Sequence, residues 1–281
     1  MAIEQHLMTL VDRMPAFPKS VQRVLELTRN ADVAPKSIVE VIEKDPVLTA
    51  RVLKVINSAF YSLPSKVAGV AQAVVLLGIN TVKNLAIRSA AVGMIPATNS
   101  AGFDTDQYLL HSLGCAEVAK LVAQRLGDTD PAEAYIGGLL HDFGKILFTL
   151  YMPEPFRAAL ESCVTENLEL YVAERELLGA DHMVAGALLA QKWQFPGALV
   201  ECIRTHHQPP PAKGLGRCLF LANQIVKVRA FGNSGNHMVA ALPPGLADRL
   251  GSDYEGIAHA LPEIDRQLEL VRTYSSAWRQ A

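Results

Sequence analysis

Hydrophobic residues recur at helical spacing along almost the whole chain, and the alternating pattern of a half-buried strand is absent from the sequence. Ile38, Val41 and Ile42 stand at positions i, i+3 and i+4, which puts them on one face of a helix. The segment 48–56 repeats this spacing. The pattern predicts an all-α fold, so any chemistry must be carried on helices and on the loops between them.

Helix start and stop signals agree with this prediction. An acidic residue followed by proline, at residues 45–46 and again at 130–131, supplies an N-cap and a proline at the first helical position. Gly78 is expected to end one helix directly before the next one begins. Gly127 and Gly179 are expected to close two further helices.

The segment 96–105 is rich in small and polar residues and is interpreted as a joint between two helical bundles. We therefore predict two packed bundles, residues 1–100 and residues 101–281. The prolines at 209–211 exclude a helix there, and the segment 232–244 is predicted to be a surface loop. Lys83 and Arg88, on the helix after Asn80, are predicted to form a solvated face.

The composition and net charge of the chain narrow the class of protein. Half of the 281 residues are hydrophobic, which is enough for a sizeable core, and a net charge of -2 provides no basic field for a nucleic acid. The four cysteines form no Cys-x-x-Cys pair and are expected to be free, reduced thiols. The sequence shows no signal peptide and no apolar run of about 20 residues. We expect a cytoplasmic protein that binds neither nucleic acid nor membrane.

The segment 137–145, which reads GGLLHDFGK, is the main candidate for chemistry. The adjacent His141 and Asp142 can present an imidazole nitrogen and a carboxylate oxygen to nearly the same point, which suits a divalent metal. Gly137 and Gly138 share the face of His141 on a predicted helix, at a cost of about 1 kcal/mol each relative to alanine. Small residues there let another helix approach closely.

Other histidines have a helical context of their own. One lies on the helix that begins near Asp106, one opens a helix after Gly179, and a pair ends the helix that starts near Pro196. The candidate metal ligands are His111, His141, Asp142, His182, His206 and His207. Two alternatives remain open: a histidine that starts a helix is an ordinary surface residue, and a histidine pair at a helix C-terminus complements the macrodipole.

These residues resemble a known family. The core of GGLLHDFGK is similar to the His-Asp-x-Gly-Lys motif of the HD superfamily of metal-dependent phosphohydrolases, and the order of the histidines resembles its HD-GYP branch. The blocks PAFP at 15–18, KDPVLTA at 44–50, LKVINSAFY at 53–61 and AVVLLG at 73–78 resemble the HDOD variant. The resemblance covers residues 14–207 and implies an all-helical fold with an HD-like C-terminal part.

The sequence departs from the enzymes of that superfamily at two positions. Gln107 stands where the HD-GYP pattern has a glutamate, and Asn223 stands where the superfamily has its last aspartate. An amide keeps the shape of a carboxylate but cannot neutralise a pair of cations. The residues after His207 are Gln-Pro-Pro, and the Gly-Tyr-Pro run of the phosphodiesterases is missing. The resemblance therefore implies a half-preserved metal site.

The first expectation is a bacterial regulatory output module, non-catalytic, which binds signalling proteins or a nucleotide-type small signal in a groove between its bundles. Such an apolar groove also offers a surface for a homodimer. The second expectation is a metal-dependent phosphohydrolase for nucleotides or cyclic nucleotides, in which Lys145 neutralises phosphate charge. The third is a sensor of metal, redox state or oxygen. The cofactor expected in each metal-binding case is one divalent ion, iron or manganese.

Overall fold

The helices of the computed structural model fall into two units, and the residues described are 2–28, 33–58, 61–244, 246 and 253–279. Within these ranges all regular structure is helical and no strand occurs, so the all-α prediction is confirmed. The smaller unit comprises residues 16–94 and 269–281, and the larger unit comprises residues 1–15 and 95–268. No helix in the described ranges is both long and apolar enough to cross a bilayer.

The first helix, α1 (Ala2–Arg13), belongs to the larger unit. The ammonium of Lys192 donates hydrogen bonds to three carbonyl oxygens in residues 11–14, at 2.7, 2.9 and 2.8 Å. Trp193 Nε1 donates to the carbonyl oxygen of Pro15 at 3.1 Å. These bonds tie the end of α1 to the larger unit. The boundaries of the two units therefore differ from the predicted boundary between residues 100 and 101.

The smaller unit is built around its last complete helix. Its helices are α2 (Lys19–Leu27), α3 (Pro35–Glu43), α4 (Pro46–Ile56), α5 (Val70–Leu77) and α6 (Ile79–Val92). Helix α6 packs against all four others, and this surrounding buries Lys83 and Arg88, which are only 8% and 2% exposed. The prediction that these two side chains form a solvated face is therefore wrong. Ala59 and Phe60 of the block 53–61 lie outside the described residues.

The predicted helix boundaries of the smaller unit are confirmed. Asp45 caps α4, and its carboxylate accepts a hydrogen bond from the backbone N–H of Leu48 at 3.0 Å. Gly78 separates α5 from α6 with a φ of 81°, in the region that glycine adopts without steric cost. The turn between these helices therefore depends on a residue without a side chain.

The larger unit carries all the candidate ligands. Its further helices are α7 (Thr105–Leu126), α8 (Pro131–Leu140), α9 (Gly144–Tyr151), α10 (Pro153–Thr165), α11 (Leu170–Leu178), α12 (His182–Lys192), α13 (Gly197–Thr205), α14 (Leu215–Val228) and α15 (Tyr254–His259). The last helix, α16 (Glu263–Arg279), begins in this unit. Helix α7 packs against α8 and α14, and α12 packs against α9 and α13. Gly127 and Gly179 end α7 and α11 in the left-handed conformation, as predicted.

Candidate metal centre

His141 and Asp142 occupy the tight turn between α8 and α9. Asp130 starts α8 by accepting a hydrogen bond from the backbone N–H of Ala132, and the helix ends at Leu140, so that His141 is its C-cap. Helix α9 begins two residues after Asp142. The turn projects both side chains into the larger unit, where His141 is 0% and Asp142 is 2% exposed.

Two glycines bring the neighbouring helices close to this turn. A Cβ at Gly138 would lie 2.4 Å from the carbonyl oxygen of Cys115, so the absence of a side chain lets α7 approach α8. A Cβ at Gly144 would lie 2.1 Å from the carbonyl oxygen of His182, so α12 approaches the start of α9 in the same way. These two contacts place α7 on one side of Asp142 and α12 on the other.

The first group of candidate ligands lies on the α12 side. Oδ1 of Asp142 is 3.2 Å from Nε2 of His182 and 3.4 Å from Nε2 of His206, and these two nitrogens are 3.3 Å apart. Nε2 of the half-buried His207 lies 3.2 Å from Nε2 of His182. Atoms that bind one metal ion at about 2.1 Å lie about 3.4 Å apart in a tetrahedral site, and somewhat closer in an octahedral one. The measured separations therefore fit one ion.

The second group lies on the α7 side and comprises His111, Cys115 and His141, whose candidate ligand atoms lie within 4.8 Å of one another. Nε2 of His111 is 3.4 Å from the sulfur of Cys115. Nε2 of His141 and Nε2 of His111 lie 3.4 and 3.9 Å from Oδ2 of Asp142. The two oxygens of Asp142 thus face different groups.

Lys145 also contacts this carboxylate. Its ammonium donates to Oδ2 of Asp142 at 2.7 Å and to Oγ of Ser234 at 3.3 Å, and the lysine is only 1% exposed. Ser234 comes from the loop after α14. This loop crosses α7 at Gly232, where a Cβ would lie 2.3 Å from the backbone nitrogen of His111. The positive charge of Lys145 is therefore already paired inside the unit.

The tautomers of two histidines follow from their backbone partners. Nδ1 of His141 contacts the carbonyl oxygen of Gly138 at 2.9 Å, and Nδ1 of His206 contacts that of Ile203 at 2.7 Å. A carbonyl oxygen only accepts, so Nδ1 carries the proton and Nε2 of the neutral ring presents a lone pair. Burial lowers the pKa of both histidines below 6.5, well below it for His141, which keeps the rings neutral.

The site around Asp142 is consequently rich in electron pairs. Burial alone would raise the pKa of Asp142, but the adjacent ammonium of Lys145 holds it well below 3.8, so the carboxylate is charged. Nε2 of His141 is fully buried and makes no hydrogen bond within the described residues. Lone pairs that face a carboxylate repel it, and a cation between them removes that repulsion. The donor set therefore fits a divalent metal.

Glu174 on α11 is a functional candidate that the sequence analysis missed. Its carboxylate accepts hydrogen bonds from the backbone N–H of His182 at 2.8 Å and from Nδ1 of the same residue at 2.5 Å. Burial would lower the pKa of His182, but the carboxylates of Glu174 and Asp142 together outweigh this and raise it above 6.5. In the metal-free protein the proton on His182 thus supplies positive charge, and a bound metal would replace it.

Gln107 and Asn223, the two positions at which the sequence departs from the enzymes of the superfamily, have different surroundings. Asn223 on α14 is 2% exposed and contacts His111. The side chain of Gln107 is exposed at the start of α7, away from the buried ligands of both groups. Of the predicted site residues, the six candidate ligands, Lys145 and Asn223 come together, whereas Gln107 does not.

Comparison with known proteins places the same segments in a family. The sequence model of the HDOD domain matches residues 14–209. A solved HDOD domain protein of unknown function from Geobacter sulfurreducens is 25% identical, with 100% of this chain and 96% of that chain covered and a TM-score of 0.76. A candidate phosphohydrolase from Shewanella amazonensis is 31% identical, with 97% and 96% covered and a TM-score of 0.70.

Longer proteins also match. A candidate signal transduction protein from Marinobacter aquaeolei is 25% identical, with 99% of this chain and 66% of that chain covered and a TM-score of 0.80. An uncharacterized protein from Treponema pallidum is 29% identical over 208 residues, which is 73% of this chain, and the chain spans only 40% of that protein. The similarity thus extends over a module that also occurs within larger chains.

Proposed function

Because the chain belongs to the HDOD domain family, we propose that it is a regulatory signal-transduction module whose metal centre does not hydrolyse phosphoesters. The similarity to the candidate signal transduction protein from Marinobacter aquaeolei, over 99% of this chain, supports the signalling role. In this role the module binds signalling proteins, and a nucleotide-type small signal or a second copy of the chain is an alternative partner.

The observation that carries the non-catalytic role is the closure of the site. His111, His141, Asp142, His182 and His206 are each at most 3% exposed. Metal-assisted hydrolysis requires both the phosphate and an attacking water at the metal. Only His207 among the candidate ligands is half-buried, so the site offers little surface to a substrate. The buried ion pair between Lys145 and Asp142 also withholds the ammonium of Lys145 from a phosphate.

The metal in this proposal is a single iron or manganese ion held by the first group. Asp142, His182 and His206 supply two imidazoles and one carboxylate, a combination that iron(II) accepts, and His207 supplies a further nitrogen. The ion supplies positive charge among these buried electron pairs. Glu174 orients His182 by holding its Nδ1, and the carbonyl oxygen of Ile203 orients His206.

A phosphohydrolase is the second candidate function. The Asp142 cluster and the 31% identity to the candidate phosphohydrolase from Shewanella amazonensis favour it. In this function Lys145 would have to leave Asp142 to reach a phosphate. The buried position of its ammonium, 2.7 Å from the carboxylate, opposes that step.

The experiment combines elemental analysis with a hydrolysis panel. The full chain is supplied with iron, manganese or zinc, and metal content is measured beside a His141→Ala, Asp142→Ala double variant and a His259→Ala control, whose histidine is exposed. We expect bound metal in wild type and control, loss of it in the double variant, and no nucleotide or cyclic-nucleotide hydrolysis. Turnover near the enzyme median of about 10 per second, abolished in the double variant, would establish the phosphohydrolase instead.

A further inference from the structure

Helix α5 of the smaller unit exposes apolar side chains that a helix of this composition normally buries. Its sequence, VAQAVVLL, contains one polar residue and no charge. Val70 and Ala73 are buried where α5 packs against α3, α4 and α6, yet Val75 is 85% exposed and Leu76 is 50% exposed. A helix that is apolar all round is normally covered on every side. The outer side of α5 is therefore an apolar surface available to a partner.

The one polar residue of α5 interrupts this surface little. Ala71 lies four residues before Val75, and Gln72 lies four residues before Leu76, so residues 71, 72, 75 and 76 share the outer side, which we call the α5 face. Oε1 of Gln72 accepts a hydrogen bond from the backbone N–H of Ala68 at 3.0 Å. This bond holds the amide at the beginning of the helix, so the second turn of the α5 face is apolar.

The surroundings of the α5 face are basic. The segment 46–103 contains five Lys and Arg residues and no Asp or Glu. Lys66 is exposed two residues before Ala68, and Lys54 is exposed on α4, which packs against α5. The smaller unit has 12 Lys and Arg against six Asp and Glu, a net charge of +6, whereas the larger unit has 14 against 22, a net charge of -8. The α5 face therefore attracts an acidic partner.

A cleft of about 510 Å³ lies directly before α5 in the chain. Ser58, Ser65 and Lys66 contribute polar groups to its lining. Nδ2 of Asn57 donates to the carbonyl oxygen of Val67 at 2.8 Å, and Oδ1 of Asn57 accepts from the backbone N–H of Val67 at 2.7 Å. This double contact joins the end of α4 to the segment that enters α5. Hydroxyl groups and an ammonium are suited to a carboxylate, so the cleft extends the α5 face with a place for an acidic side chain.

Two other occupants fit these features less well. A second copy bound through the same face would bring two basic surfaces together, and α5, with eight residues, spans only about 12 Å, whereas a stable dimer buries about 800 Å² per partner. A helix that lies on an anionic membrane carries Lys or Arg on its polar side and often an aromatic residue on the other. Helix α5 has neither.

We propose that the α5 face and the adjoining cleft bind an acidic amphipathic helix of a signalling protein. Its apolar stripe contacts Val75 and Leu76, and its acidic flank lies near Lys66. The short apolar face predicts a weak, transient complex. This inference rests on the proposed regulatory role, but it uses the smaller unit, whereas the larger unit carries the candidate metal ligands.

The test is a fluorescence anisotropy titration of a designed helical peptide, with leucine at i, i+3 and i+4 spacing and glutamate elsewhere, by the full chain. We expect saturable binding that weakens as salt rises. The double variant Val75→Ser, Leu76→Ser should weaken binding at least about tenfold, and Lys66→Gln about threefold. The matched control is Val164→Ser, Leu177→Ser, which replaces side chains 69% and 48% exposed on α10 and α11 and should bind as wild type.

Equal binding by wild type and the Val75→Ser, Leu76→Ser variant overturns the proposal, as does a peptide with lysine in place of glutamate that binds as tightly. Two further measurements on the full chain identify the other occupants. Binding to phosphatidylserine vesicles without peptide binding assigns the α5 face to a membrane, and a wild-type dimer that the double variant converts to monomer assigns it to a second copy. Either result overturns the proposal while leaving the metal centre intact. Nucleotide hydrolysis by wild type would instead overturn the regulatory role and leave peptide binding unchanged.

Discussion

Replacing Gly138 with alanine tests the helix contact on which the whole site depends. A Cβ there would lie 2.4 Å from the carbonyl oxygen of Cys115 and 2.6 Å from Cα of Ala116. Both atoms belong to the backbone of α7, so no side-chain rotation can relieve the clash. Because ordinary contacts of carbon atoms begin at about 3.5 Å, α7 would have to move by about 1 Å.

The magnitude follows from two opposing effects. Overpacking a core costs about 1–3 kcal/mol, and a backbone obstacle puts this site at the upper end. Alanine recovers about 1 kcal/mol through its higher helix propensity. We expect Gly138→Ala to lower the free energy of unfolding by about 2 kcal/mol. Gly137→Ala is the matched control, since its Cβ would lie 3.4 Å from Cδ1 of Leu215, an ordinary contact. It is expected to stabilise the protein by about 1 kcal/mol.

Urea unfolding followed by circular dichroism measures both variants, and metal content is measured in parallel. Because Gly138 lies in the helix that ends at the turn carrying Asp142, the displacement caused by Gly138→Ala should also weaken metal binding at Asp142, whereas Gly137→Ala should leave it unchanged. Two neighbouring substitutions are thus predicted to shift stability in opposite directions. If both shift the unfolding midpoint in the same direction, or if Gly138→Ala is neutral, the close approach of α7 and α8 is refuted.

Three further predictions concern single groups. Glu174→Gln should weaken metal binding about 10–100-fold in a chelator competition, because the substitution loosens the hold on His182. Glu176 is exposed on the same helix, so Glu176→Gln should have no effect. Metal binding should release a proton from His182, whose pKa is raised mainly by Glu174 against the effect of burial. Below that raised pKa, affinity should fall about tenfold per pH unit in titrations, and a pH-independent affinity would contradict this. Asp45→Ala should destabilise the smaller unit by about 1 kcal/mol. Hydrogen bonds from Leu48 and Ser20 hold the pKa of Asp45 below 3.8, so its stabilisation exists above the unfolded pKa of about 3.9 and disappears as the pH falls through the lowered value. Asp45→Asn should keep the cap and lose this acid dependence in unfolding experiments.

Helix boundaries were predictable because their signals are local. Asp45 caps α4, and Gly78 separates α5 from α6, as the sequence predicts. The burial of Lys83 and Arg88 was not predictable in this way, because it depends on four helices that surround α6. A charged residue on a helix is normally exposed, and nothing within α6 marks these two as exceptions.

The candidate ligands were predictable from their order, but their partners were not. Glu174 lies eight residues before His182, on a different helix, and only the fold brings the two together. One signal was available: Leu170, Ala173 and Leu178 are buried, and Glu174 falls on the same stripe of α11. A carboxylate on an apolar stripe indicates a buried partner. Cys115 had a similar signal in its four-residue spacing from His111.

The distribution of the ligands explains how a closed metal centre can carry a signal. The first and second groups together take their side chains from α7, the α8–α9 turn, the start of α12 and the end of α13. An ion held by the first group would link three of these elements, the α8–α9 turn, α12 and α13. An ion that binds the folded state alone stabilises it by about 2.7 kcal/mol at a hundredfold excess over its Kd. Occupancy therefore changes the stability of these elements without any substrate reaching the site. A buried cluster that would hinder hydrolysis is thus well suited to regulation.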